Sequence, residues 1–440
     1  MPGASFKVDN IRQFPDVPAG HPTFLQRLGP GLITGAADDD PSGIATYSQV
    51  GAQFGLGMLW TMLFSFPLMA AIQEISARLG RITGTGIAEI LRKHYPKPLL
   101  YGLVLLLCLA NVFNLGADVA AMGAAAHLVL RGPLDAYVVI FGLFSLFLQI
   151  YVPYRKYVRY LKWLTLVLFA YVATAFVVRV PWSIALRKTI IPSVSWTTDY
   201  WMALVAVLGT TISPYLFFWQ ASEEAEDVRL NKGEQPLRKK PSQAFEHLRR
   251  ISVDTRVGMG LSNLVAFFII LITAVTLHAS GAGNVIQTSA DAAKALQPLA
   301  GNLAFLLFAL GIIGTGLLAV PVLAGSAAYA IAETFGWPAS LESKPRQVPK
   351  FYIVLAAATI IGISLKFLGM DPIRALFWSA VMNGVVAVPL MVMLMIASAN
   401  RRIVGKFLLP GHLRLIGWSA TIVMFLASLA LILSSVRGLF

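Results

Sequence analysis

Apolar runs of about 20 residues, the length that crosses a hydrocarbon core, recur along the chain and leave little polar sequence between them. "LLYGLVLLLCLANVF", "LDAYVVIFGLFSLFLQIYV" and "SATIVMFLASLALILSSV" are examples. The pattern predicts eleven transmembrane helices, near residues 30–53, 55–77, 98–128, 134–152, 158–180, 199–221, 257–279, 300–332, 351–369, 373–398 and 413–434. Two of them are interrupted. The first contains "DDDPSG", and the sixth, five spans later, contains "GTTISPY" over 209–215. Proline in mid-span removes a backbone hydrogen bond and clashes with the preceding turn. Unwound backbone at membrane depth is tolerated only where it lines a cavity or is buried in protein. A single proline would read as a kink. A pair in corresponding halves, one preceded by carboxylates, reads as a transporter site between inverted repeats. Repeat 1 is predicted over about 30–180 and repeat 2 over about 199–398, with an extra helix over about 413–434. Together they form one transmembrane domain, 30–435, behind a cytoplasmic tail, 1–29.

Composition supports the all-α polytopic membrane reading. Hydrophobic residues make up 57% and charged residues 13%, with a mean hydropathy of +0.71, whereas soluble domains carry about 25% charged residues. The first 22 residues are polar and lack an apolar stretch, so no cleavable signal is expected. The one cysteine, Cys108, excludes an intramolecular disulfide framework and a thiolate metal cage. It lies in an apolar run and reads as buried packing.

A net charge of +14 could indicate a nucleic-acid partner, but its distribution does not. With the N-terminus inside, the inside segments hold 27 of the 35 basic residues, among them Lys7, Arg12, Arg27, Arg155, Arg159, Lys162 and Lys232. Only Arg131, Arg179, Arg187, Lys188, Lys294, Lys366, Arg374 and Arg437 fall outside. That is the positive-inside alternation, with the C-terminus extracytoplasmic. The charge encodes topology. The longest hydrophilic stretch, 221–256, opens with Glu223, Glu224, Glu226 and Asp227 and turns basic; it reads as a solvated helix end and linker. No enzyme-sized soluble domain fits between the spans, and no His/Glu/Cys cluster of metalloenzyme spacing appears within them.

The unusual chemistry is at Asp38, Asp39 and Asp40. Consecutive residues of a continuous helix lie 100° apart, so these could not share one face. Nor would lipid accept them, at roughly +3 kcal/mol each. The backbone must unwind there or a water-filled cavity must reach it. No arginine or lysine lies in a span centre to pair with the carboxylates, which leaves an exogenous cation as the natural counter-charge. Asp118 and His127 in the third span read as buried polar packing. Glu74 reads as half of a helix-surface ion pair with Arg78, four residues on.

"GPGLITGAADDDPSGIATYSQVGAQFG" resembles the first span of the NRAMP divalent-metal transporters, where Gly-Pro-Gly precedes an Asp-Pro-Gly-Asn motif. "QEISARLGRITGTGIAEILRKHYP" is similar to the exit from that family's second span, and "GTTISPYLFFWQ" to its sixth-span Met-Pro-His motif. The resemblance spans nearly the whole chain. It implies a LeuT-like 5+5 inverted-repeat fold with helices 1 and 6 unwound and Asp40 as principal metal ligand. The carbonyls of Ala37 and Thr210 fall on the family's backbone-ligand positions. Asp39 is a candidate second charge, and Asn383 on the tenth span a candidate polar wall, for which an interhelical hydrogen bond is the competing role.

Departures from the family pattern matter equally. Gly43 stands where the family has asparagine, Ser213 where it has methionine, and Tyr215 where it has histidine. The third-span acidic residues associated with proton movement fall on Ala117 and Ala120, with Asp118 adjacent but out of register. This pattern resembles the NRAMP-related magnesium transporters. A thioether selects softer transition metals, whereas carboxylate, carbonyl and water suit Mg²⁺ or Mn²⁺, and Mg²⁺ usually keeps several waters. The expectation is an uncoupled Mg²⁺ and Mn²⁺ importer of a bacterial inner membrane, with the metal as substrate. No cofactor, nucleic acid or obligate protein partner is expected beside the lipid bilayer. A proton-coupled Mn²⁺/Fe²⁺ transporter is the alternative. An amino-acid/cation symporter of the same fold is a third, against which "DDD" would repel a substrate carboxylate.

Overall fold

The computed structural model describes residues 30–153, 156, 161, 163–231, 233–279 and 286–437. The expected tail over 1–29 lies outside the described residues, as do Arg155, Arg159, Lys162 and Lys232 of the inside set. Every regular element among the described residues is a helix. The principal ones are α1 (Pro30–Asp38), α2 (Pro41–Phe54), α3 (Trp60–Thr83), α4 (Ile87–His94), α5 (Lys97–Leu130), α6 (Leu134–Tyr151) and α7 (Phe169–Val177). They continue as α8 (Trp182–Ile190), α9 (Thr198–Thr211), α10 (Pro214–Leu230), α11 (Ala244–Thr273) and α12 (Ala304–Phe335). The last three are α13 (Pro349–Leu365), α14 (Pro372–Ala399) and α15 (Gly411–Arg437).

Among the described residues, eight helical stretches are long and apolar enough to cross a membrane by themselves; α2 and α3 pass jointly, at an angle of 110°. Several helices overrun the predicted spans. α10 continues to Leu230 and α11 begins at Ala244, because hydropathy registers only apolar length while the helical backbone runs on through charged residues. Leu105, Leu109, Ile422, Phe425 and Leu426 are exposed, as befits side chains facing lipid tails. Inside, small residues bring backbones together, the usual packing of membrane helices. A Cβ built on Gly209 of α9 would lie 2.1 Å from the Ala380 carbonyl and 2.5 Å from the Gly384 amide of α14.

Both predicted interruptions are present at the expected places. α1 stops at Asp38 and α2 starts at Pro41; α9 stops at Thr211 and α10 starts at Pro214. In each case proline occupies the first turn of the new helix, where its missing N–H costs nothing and its fixed φ suits the helix.

Candidate metal site

At the first break Asp40 is extended, with φ −66° and ψ 168°, and caps α2. Its Oδ1 accepts the Gly43 amide and the Ser42 hydroxyl, each at 2.7 Å. This is an Asp N-cap, and it turns the carboxylate inward instead of along a helix face. Oδ2 accepts Asn114 Nδ2 of α5 at 3.0 Å and the Tyr215 hydroxyl of α10 at 3.3 Å. Tyr215 also donates to the Ala37 carbonyl at 3.1 Å, so one hydroxyl ties the end of α1 to Asp40. All the donors on Asp40 are neutral.

The second break mirrors the first without a side-chain cap on the new helix. Ser213 donates instead to the carbonyls of Gly209 and Thr210, at 2.8 and 2.7 Å, the last turn of α9. Thr210 Oγ1 donates to Val207 O at 2.9 Å and lies 2.9 Å from the Tyr47 hydroxyl. Tyr47 sits one turn beyond Gly43 on α2, so this contact joins the two interrupted spans. A Cβ on Gly43 would lie 3.5 Å from Asp40 Oδ1 and 3.3 Å from the Asp38 carbonyl; the missing side chain keeps that side of the carboxylate clear. The C-terminal ends of α1 and α9 both present carbonyls here, the negative poles of their half-helices. Such ends suit a cation.

Of the predicted residues, Asp40, Gly43 and Ala37 therefore meet around one carboxylate, and Thr210 and Ser213 stand on the facing break. Asp39 is turned away from Asp40's donors and toward Ser262 of α11, 2.9 Å away. Asn383 is buried, but neither of its side-chain polar atoms has a partner among the described residues, so the competing interhelical hydrogen bond is not made. Asp38 Oδ1, Asn114 Oδ1 and Asp118 Oδ1 are unpartnered as well. Buried polar atoms usually find partners, and a hydrated cation supplies water donors that carboxylate and amide oxygens can take. Among the described residues no three His, Cys, Asp or Glu side chains converge as a chelating group. The residues fit an ion held by few protein ligands, not a closed cage.

Sequence reasoning missed Asn114, Tyr47 and Ser262. A signal for the first existed: Asn114 and Asp118 are four apart in a largely apolar helix and so share a face. Asn114 Nδ2 lies 3.5 Å from Asp118 Oδ2, which places Asp118 one side chain from Asp40. Three readings are corrected. His127 is exposed at the end of α5, its Nδ1 2.5 Å from the Gly132 carbonyl, and is not buried packing. The acidic start of the stretch after α9 is not solvated either. Glu223, Glu224 and Glu226 are buried, because α10 packs against α3 and α12. Arg250 holds Glu224 at 2.6 Å, and the Tyr329 and Ser340 hydroxyls donate to Glu226. Glu74 does pair with Arg78, at 2.7 Å, but it is buried and also meets Ser252 and Arg256, so the pair is not at the helix surface.

The family described as "Natural resistance-associated macrophage protein-like" matches this chain over residues 31–434. The divalent metal cation transporter MntH of Deinococcus radiodurans is 26% identical over 424 residues, covering 92% of this chain and 89% of that protein. Among solved structures, the Eremococcus coleocola manganese transporter superposes with a TM-score of 0.71 at 19% identity, covering 97% of this chain and 90% of that one. Mhp1, a nucleobase-cation-symport-1 family transporter in a closed conformation, superposes at 0.53 with 13% identity, covering 94% and 95%. At these identities the superpositions establish the shared LeuT-like fold, while the family match over nearly the whole length establishes descent. The chain belongs to the Nramp family of integral membrane transporters.

Proposed function

We propose that this chain imports divalent metal cations, Mg²⁺ foremost and Mn²⁺ as a second substrate, holding each partly hydrated at Asp40 and moving no protons with it. Divalent-metal transport accords with the similarity to the MntH divalent metal cation transporter and to the manganese transporter. The preference for Mg²⁺ rests on this chain's own residues. The single observation that carries it is the donor set around Asp40: carboxylate, carbonyls, hydroxyls and amides, with Ser213 and Tyr215 in place of a thioether and an imidazole. Hard oxygen ligands and few of them suit an ion that dehydrates reluctantly. Asp40, Ala37 and Thr210 are assigned as direct or water-mediated ligands; Gly43 and Ser213 leave room, Asn383 forms a polar wall, and Asp39 adds charge nearby. The eleven-span topology with a cytoplasmic N-terminus, and the place within the NRAMP-related magnesium transporters, belong to the same proposal.

An inside-negative potential suffices to drive it. One charge crossing 100 mV gains about 2.3 kcal/mol, a divalent ion about 4.6, which corresponds to on the order of 10³-fold accumulation. One observation favours a second reading, proton coupling: Asn114 links Asp118 to Asp40, so a carboxyl stands near the site although Ala117 and Ala120 hold the family's acidic positions. Proteoliposome uptake of Mg²⁺, Mn²⁺ and Ca²⁺ with an internal pH reporter separates the two. Voltage-driven Mg²⁺ uptake without lumenal acidification is expected. Acidification comparable to the metal flux returns the protein to the proton-coupled class.

A further inference from the structure

α1 lies along α11 in a register repeated three times. Gly31 N donates to Asp254 Oδ2 at 2.8 Å. One turn on, a Cβ built on Gly35 would lie 2.3 Å from the Gly258 carbonyl, so two backbones touch with no side chain between them. One further turn on, Ser262 Oγ lies 2.5 Å from Asp38 Oδ2 and 2.9 Å from Asp39 Oδ1. Residues 254, 258 and 262 are four apart and share one side of α11; residues 31, 35 and 38–39 do the same on α1. Four residues advance either helix by about 6 Å, which keeps the contacts in step. Asp254, Ser262, Asp38 and Asp39 are all buried.

The last contact can form only because α1 ends there. On a continuous helix the carboxylates of Asp38 and Asp39 would diverge by 100°; Asp38 closes α1 and Asp39 lies beyond it, and both turn to one hydroxyl. From Asp38 to the Asp40 cap is two residues of chain. We propose that Ser262 is a positioning residue of the cation site: its hydroxyl, with one proton to share between Asp38 and Asp39, holds both side chains against α11, fixes the break between α1 and α2, and so holds Asp40 where it meets the ion. Asp254 and Gly258 seat α1 against α11 and set the height at which Ser262 acts. Asp40's hydrogen bonds come from Ser42, Gly43, Asn114 and Tyr215, so Ser262 contributes through Asp38 and Asp39.

The inference rests on the assignment of Asp40 as the metal ligand, and its test keeps the two separable. Ser262→Ala, Ser262→Thr and Asp40→Ala are compared with wild type by Mg²⁺ uptake kinetics in proteoliposomes. A hydrogen bond to a charged group, lost from a preorganised site, corresponds to about a tenfold change. Ser262→Ala raises KM for Mg²⁺ about tenfold while the maximal rate stays within about twofold. Ser262→Thr, which keeps the hydroxyl, restores KM. A purely structural role would lower the amount of folded protein and leave the KM of the remainder unchanged, and that result overturns the proposal. So does equal behaviour of the alanine and threonine variants. Should Ser262→Ala fail to fold, Ser262→Cys, similar in shape but a weak donor, must show the raised KM. Continued uptake by Asp40→Ala would overturn the site assignment; an inactive Asp40→Ala beside a Ser262→Ala of wild-type KM would overturn this inference alone.

Discussion

Asp40→Asn separates the charge of the site from its scaffold. Asparagine keeps an oxygen at the Oδ1 position, and with it the two 2.7 Å bonds from Ser42 and Gly43 that cap α2. Its amide nitrogen replaces Oδ2 and faces Asn114 and Tyr215. Asn114 can answer by turning its own amide, whose oxygen has no partner among the described residues, and Tyr215 retains the Ala37 carbonyl. Rearranging one or two neutral hydrogen bonds costs about 1 kcal/mol. Asp40→Ala removes the cap as well and leaves the buried Asn114 donor unmet, together about 2–4 kcal/mol. The effect on the ion is far larger. A divalent cation about 4 Å from a full negative charge, at an effective dielectric constant of about 20, gains about 8 kcal/mol, or more than 10⁵-fold in affinity. Both variants should therefore show no Mg²⁺ binding by calorimetry and no uptake. They should differ in stability, with Asp40→Asn melting close to wild type and Asp40→Ala clearly below it. An Asp40→Asn protein that binds Mg²⁺ within tenfold of wild type would refute the argument that this charge holds the ion. One as unstable as Asp40→Ala would refute the capping argument.

Changing Gly43→Asn together with Ser213→Met restores two direct ligands, one of them soft, in a space where a Cβ at Gly43 already stands 3.3 Å from Tyr47 Cε2 and the Asp38 carbonyl. Mg²⁺ should lose more affinity than Mn²⁺ or Cd²⁺ because it sheds water least readily; an unchanged Mg²⁺-to-Mn²⁺ ratio in calorimetry would place selectivity elsewhere. Arg81 is buried at 1% exposure and bonds Glu234 at 2.5 Å. Arg81→Ala should lower stability by about 1–3 kcal/mol, since the Glu234 it leaves is partly exposed and Glu224 keeps Arg250, whereas a wild-type melting temperature would show that water replaces the pair. For topology, cysteine at position 240 should react with an impermeant reagent from the cytoplasm and cysteine at position 187 from outside. Labelling of both from one face would sink the eleven-span assignment.

The chain alone determined that long apolar helices recur along it and where two of them break. These are local decisions. Lipid thickness sets the length of an apolar run, proline stops a helix within one turn, and an aspartate three residues before a free amide caps the next helix, as Asp40 does for Gly43. Tertiary structure alone decided what completes the site. Asn114 reaches Asp40 from 74 positions away and Ser262 reaches Asp38 from 224, distances over which periodicity carries no information. Packing likewise decided that Glu223, Glu224 and Glu226 are buried. Their sequence reads as a solvated helix end because composition registers charge, whereas burial depends on which helices close over it. Asn383 was legible as a buried polar side chain, but only the arrangement of α9 and α14 shows that no protein group satisfies it among the described residues. A membrane fold places its helices by hydrophobicity, which is written along the chain. It places its polar partners by close backbone approach, such as that of Gly209 to Gly384 or Gly35 to Gly258, which becomes visible only when the helices are packed.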